Sequence, residues 1–208
     1  MVDPEKVGFS KERLGRIKPV MQAYVDQQKL AGLVTLVARQ GKVAHFETYG
    51  LMDVVAGKAM RSDAIFRIAS MTKPIATVAA MMLYEEGHFQ LTDPVANFIP
   101  ELHGVKVERI TADGTRELVA PRREPSIHDL MVHTSGLNVD CSYEKNLAEN
   151  MQELARLPLL DQPGSFFRYK QATNVLAYVV EQISGLSFDR FLRARIFEPL
   201  QMVDTGFH

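Results

Sequence analysis

The strongest strand signal in this chain is a single hairpin followed by a mainly helical remainder, and that order restricts the fold more than any other feature. Leu33-Val34-Thr35-Leu36-Val37-Ala38 and Val43-Ala44-His45-Phe46-Glu47-Thr48-Tyr49 are strand-like runs on either side of Gln40-Gly41, which predicts a tight turn. Before them, Leu14, Ile17, Met21, Tyr24 and Val25 recur at helical spacing, with Ser10 as N-cap, Gly32 as the stop and Pro19 forcing a kink or two pieces. From Ala64 onward the texture becomes helical. Helices are predicted over Ser126 to His133, Leu147 to Leu157, Ala172 to Ser184 and Phe188 to Phe197, with Gly136 and Gly185 placed as C-caps. Val105 to Val119, centred on Asp113-Gly114, reads as a second small hairpin. A two-stranded hairpin is marginal by itself and leaves open edges. The expectation is therefore an α+β domain over 1–208, with a helix and hairpin in 1–63, a mainly helical lobe in 64–208, and a sheet that is incomplete within this chain. A second copy or a carboxy-terminal half is the expected partner to complete it.

Composition sets outer limits. At 208 residues, 46% hydrophobic and 24% charged, the chain can bury a core and is not of a disordered or fibrous class. Its 24 Lys plus Arg against 25 Asp plus Glu leave a net charge of −1, so no basic field favours nucleic acid. The most apolar stretch, Ile75 to Tyr84, is about half the ~20 residues that a membrane span needs and reads as a buried helix. Met1 to Lys6 carries both signs of charge and no apolar h-region, which makes a cytoplasmic protein the expectation. Cys141 stands alone, no Cys/His pair has metal-site spacing, and neither metal nor cofactor is implied.

The chemistry concentrates in Ile65-Phe66-Arg67-Ile68-Ala69-Ser70-Met71-Thr72-Lys73-Pro74. Ser70 and Lys73, three apart at the start of a helix, share one face, and Thr77 extends the polar stripe. A lysine desolvated there would lose its proton more readily, and a helix N-terminus favours an alkoxide, so the pair can act as base and nucleophile. An N-cap serine beside a snorkelling lysine explains the same spacing. Ser142-Tyr143-Glu144-Lys145 repeats the S-x-x-K pattern in a polar, loop-like stretch where nothing would desolvate the amine. His45, His88, His103, His128 and His133 are read as structural, His133 as a capping imidazole at a helix end, and Cys141 as an unremarkable thiol.

Ser70-Met71-Thr72-Lys73, His133-Thr134-Ser135-Gly136-Leu137 and Tyr169 within Phe167-Arg168-Tyr169-Lys170-Gln171 occur in an order that resembles the serine beta-lactamase and penicillin-binding-protein superfamily. The likeness is greatest to its class C-like branch, the family VIII carboxylesterases, and Ile196 to Phe207 is similar to a stretch common there. The resemblance implies a helical lobe beside an antiparallel sheet flanked by helices. It also implies a metal-free serine carboxylesterase acting on small, short-acyl esters through an acyl-enzyme on Ser70. Lys73 would take the Ser70 proton, and Tyr169 would share the base role and protonate the leaving group. A phenol with a pKa near ~10 can do so only beside a cation. Gln171 stands where beta-lactamases carry a substrate-holding asparagine, which suits an esterase better than a beta-lactamase. A beta-lactamase, D-amino peptidase or acyltransferase with the same Ser-Lys-Tyr site, and a non-catalytic binding module of this fold, are the alternatives. The resemblance further implies a third motif on a downstream strand that supplies one oxyanion-hole N–H, a donor worth about 10²- to 10³-fold in rate.

Overall fold

The computed structural model describes residues 1–138, 140–142 and 144–207, so Tyr143, inside the second S-x-x-K match, and the terminal His208 lie outside the described residues. The chain divides into two compact units, Met1–Arg67 and Ile68 onward.

In the first unit, α1 (Lys11–Leu14) and α2 (Ile17–Asp26) form two helical pieces. Ser10 caps α1 by accepting the Arg13 N–H, as the sequence predicts. The break falls at Gly15-Arg16 and not at Pro19, which sits in the first turn of α2, where no intrahelical hydrogen bond is lost. Gly32 is likewise not a helix stop. It opens β1 (Gly32–Arg39), and a Cβ there would lie 2.4 Å from the Leu51 carbonyl oxygen, so glycine is needed for close strand approach.

β1 pairs antiparallel with β2 (Lys42–Asp53), aligning Leu33 with Tyr49 and Arg39 with Lys42. The turn residues Gln40 and Gly41 both have positive φ, 54° and 68°, as a primed hairpin turn requires. A short β3 (Lys58–Ala59) pairs with the far end of β2, giving a sheet of order β1-β2-β3 instead of the two strands expected. Two exposed residues without alternation carry no strand signal, which is why β3 is invisible in the sequence.

The second unit is built around α6 (Ala172–Ser184), against which α3 (Thr72–Glu85), α4 (Ile127–Met131), α5 (Leu147–Leu154) and α7 (Phe188–Leu192) pack. α3 buries Ala76, Ala79, Ala80 and Leu83, small side chains that let its axis approach the Val175, Leu176, Val179 and Val180 face of α6. Burial of α3 is one-sided, with Val78 exposed on the far side, so the uniformly buried helix expected from composition is corrected to a half-buried one. Capping boxes start α4 (Ser126 with Asp129) and α5 (Asn146 with Glu149), while Gly185 ends α6 in the left-handed conformation. α7 runs into a π turn over Arg193–Phe197, replacing the continuous helix predicted there. The expected second hairpin forms as β4 (Val107–Ile110) and β5 (Arg116–Val119).

Gly136 is not a C-cap. α4 ends four residues earlier in the sequence than expected of such a cap, and Gly136 instead passes so close to the 160s segment that a Cβ would lie 2.2 Å from the Asp161 carbonyl oxygen. Its own carbonyl accepts the Leu160 N–H at 2.7 Å.

Candidate active site

Ser70 lies in a 3₁₀ turn, Ala69–Met71, that runs directly into α3, so it precedes the helix and is not its N-cap. Ala69, the residue before it, has φ of 43°, a sharp backbone turn that leaves Ser70 exposed. Lys73 is in the first turn of α3, half-buried, and its Nζ donates to Ser70 Oγ at 3.1 Å. The Thr77 hydroxyl one turn on donates to the Lys73 carbonyl at 3.0 Å and is turned into the helix backbone. The two side chains that the sequence pairs are thus in direct contact.

Tyr169 comes from the loop before α6. Lys73 Nζ stands 4.9 Å from its ring centroid. Interaction with the Ser70 hydroxyl first, and with Lys73 second, holds the exposed Tyr169 phenol below its ordinary pKa of 10.0. Arg168, its neighbour, is fixed from two directions: its guanidinium reaches Asp161 through Nε at 2.7 Å and Nη2 at 3.2 Å, and its backbone N–H donates to the His133 carbonyl at 2.8 Å. Lys170 Nζ donates to Asn138 Oδ1 at 3.1 Å.

Gln171, at the N-cap position of α6, turns its Oε1 away to accept the Cys141 N–H and the Asn174 Nδ2, both at 3.1 Å. Its amide oxygen is therefore occupied in holding the 141 loop, and only its NH₂ can face a ligand. Cys141 is half-buried, and burial pushes its thiol above the usual range.

His133 is read from the sequence as a structural residue that caps a helix. It does not cap α4, which ends at Met131, but lies beyond it with φ of 59° and packs its ring on Tyr169, centroids 4.7 Å apart, and on Phe167 at 5.9 Å. Nothing in the one-dimensional spacing of His133 and Tyr169, which are separated by α5, signals this contact.

The second S-x-x-K match is dismantled by its surroundings. Ser142 Oγ accepts the Glu144 N–H at 3.2 Å, Lys145 pairs with Glu153, and buried Asn150 holds the segment through the Ser142, Lys145 and Asn146 carbonyls. Of the other histidines, His45 bonds Thr35 within the sheet at 2.7 Å, His103 meets Glu124 at 2.8 Å and His88 meets Glu86 at 3.5 Å. Among the described residues no group of His, Cys, Asp and Glu side chains could hold a metal ion, and no helix is long and apolar enough to cross a membrane.

The site thus brings together a serine in contact with a lysine at a helix start and a tyrosine beside them. The chain belongs to the Beta-lactamase family, whose profile matches residues 17–208. It is 35% identical over 210 residues to Esterase EstB of Burkholderia gladioli, covering 92% of this chain and 51% of that protein. It is 36% identical over 196 residues to Protein Rv1367c of Mycobacterium tuberculosis, covering 88% and 49%. Among solved structures, EstCE1, described as a hydrolase with promiscuous acyltransferase activity, superposes with a TM-score of 0.76 at 30% identity over 90% of this chain and 51% of that one. The chain spans about half the length of the curated relatives it matches. The beta-lactamase-like α+β fold expected from the sequence is thereby established, in part of its full extent.

Proposed function

We propose that this chain carries the nucleophile half of a serine carboxylesterase that hydrolyses small, short-acyl esters through an acyl-enzyme on Ser70. The contact of Lys73 Nζ with Ser70 Oγ at 3.1 Å carries this reading. Ser70 Oγ adds to the ester carbonyl as its proton passes to the Lys73–Tyr169 pair, and collapse of the adduct returns that proton to the departing alcohol. Water then adds to the acyl group on Ser70, the same pair moves its proton, and a carboxylic acid leaves with Ser70 restored. The lowered Tyr169 pKa supports its share in this base role. Gln171 offers only N–H donors, which suits the oxygen of an ester carbonyl and not a group that must itself be accepted. The esterase named among the relatives favours ester substrates over beta-lactams.

Peptide mass spectrometry after treatment with a fluorophosphonate or a p-nitrophenyl ester, with Ser70→Ala alongside, tests the proposal. The expected result is an adduct on the Ser70 peptide that the variant lacks; an adduct elsewhere, or faster turnover of nitrocefin than of the ester, would overturn it.

A further inference from the structure

Tyr169 has no helix or strand of its own to hold it, and its phenol is exposed. Its position depends on what its loop touches. Two of those touches come from one residue. The His133 carbonyl accepts the N–H of Arg168, and the His133 ring lies on the Tyr169 ring at 4.7 Å with planes 51° apart. The backbone at His133 adopts φ of 59°, a left-handed conformation that histidine takes up more readily than most side chains.

We propose that His133 is a positioning residue of the hydrolytic site: its ring and its carbonyl together fix the Tyr169 phenol against Ser70 and Lys73. The inference rests on the esterase reading for its consequence in turnover, but not for the contact itself. The imidazole does this as a neutral group. Its Nδ1 is buried without a partner among the described residues, so charging the ring, which places a proton on both nitrogens, would leave an unsatisfied buried donor there. Burial, and then repulsion from Lys73, hold its pKa below 6.5. The charged groups around it are Lys73 on α3 and Arg168 on the Tyr169 loop, the latter engaged by Asp161; Asp129 on α4 is engaged by Arg123 and Thr134. A neutral aromatic ring packs on Tyr169 without adding a second cation beside Lys73.

Two substitutions separate ring packing from general structural support. His133→Asn removes the ring and suits a positive φ, whereas His133→Phe keeps the ring and removes its nitrogens. With thermal unfolding showing both variants folded, kcat and KM for a p-nitrophenyl ester are measured across pH, and Tyr169 ionisation is followed by ultraviolet difference absorbance against Tyr169→Phe. We expect His133→Asn to lower kcat by about 10²-fold with KM changed less than about threefold, since misplacing a catalytic group acts on the reacting geometry. The Tyr169 titration should move up toward that of an ordinary tyrosine, because its contacts with Ser70 and Lys73 are what depress it. His133→Phe should restore both readouts. An unmoved Tyr169 titration in His133→Asn, or equal defects in the two variants, would overturn the inference. If Ser70→Ala hydrolyses the ester as fast as the wild type, the esterase reading fails, and the titration still decides the role of His133.

Discussion

The Asp129 carboxylate accepts the Thr134 hydroxyl at 3.0 Å, and through that bond the first turn of α4 holds the loop that carries His133. Asp129 is 2% exposed and also takes the Ser126 N–H and hydroxyl, both at 2.8 Å, and the Arg123 guanidinium. Burial alone would raise its pKa, but Arg123, Ser126 and Thr134 together outweigh that and bring it to about 2 from an ordinary 3.8. A depressed folded-state pKa stabilises the fold above the unfolded value, and the contribution is lost as pH falls through the folded value. We therefore expect about 2 kcal/mol from this carboxylate at neutral pH, lost between about pH 4 and pH 2. Urea unfolding of wild type and Asp129→Asn along that range checks it: the stability gap should narrow on acidification, and a constant gap would contradict the assignment.

Lys73→Arg preserves a cation and donors near Ser70 but cannot give up its proton. Ester turnover should fall by about 10³-fold if Lys73 acts as a base, the scale that a positioned proton acceptor contributes. Turnover within a few-fold of wild type would leave Tyr169 as the base and Lys73 as its electrostatic support.

Ser142→Ala should leave turnover unchanged and stability within about 0.5 kcal/mol, as for a surface substitution. Asn150→Ala is the contrasting change. Its buried amide makes three donor contacts, to Ser142, Lys145 and Asn146, and accepts the Ser142 N–H at 2.8 Å, so its loss should cost about 2 kcal/mol in thermal or urea unfolding. Equal effects from both would show that the segment is not held by Asn150.

Much of this architecture is legible from local chemistry. Gln40-Gly41 announces its turn because Gly41 adopts the positive φ that the hairpin needs without a side-chain clash, and Ala172 to Ser184 is read to the residue because an apolar face ends at a glycine. The Ser70–Lys73 contact is legible because a helix brings positions three apart together. What escapes is tertiary. Gly32 and Gly136 read as helix punctuation, yet each is set by a distant carbonyl, of Leu51 and of Asp161. His133 reads as a cap because a histidine near a helix end usually needs no other explanation, while its actual neighbour, Tyr169, lies a whole loop and helix away in sequence. The polar stretch around Ser142 already argues against it in the sequence, but the Asn150 contacts that hold that segment are tertiary and leave no pattern in it.

Gly136 gives the sharpest test of such hidden constraints. At φ of 73° and with the Asp161 carbonyl oxygen 2.2 Å from where a Cβ would stand, Gly136→Ala must displace the backbone of the Asp161 segment. Gly114, in the β4–β5 turn, has φ of 85° but open space around its missing Cβ, so Gly114→Ala meets the conformational cost alone. We expect about 1 kcal/mol of destabilisation at Gly114 and at least about 3 kcal/mol at Gly136, read from urea unfolding. The difference should extend to catalysis. Asp161 grips the Arg168 guanidinium, and Arg168 is bonded to Tyr169 in the chain, so a shift of the Asp161 backbone is transmitted to the phenol beside Ser70. At a temperature where both variants remain folded, Gly136→Ala should lower kcat for a p-nitrophenyl ester while Gly114→Ala leaves it unchanged. Equal kcat values in the two would show that the Asp161 segment can move without carrying Tyr169 with it.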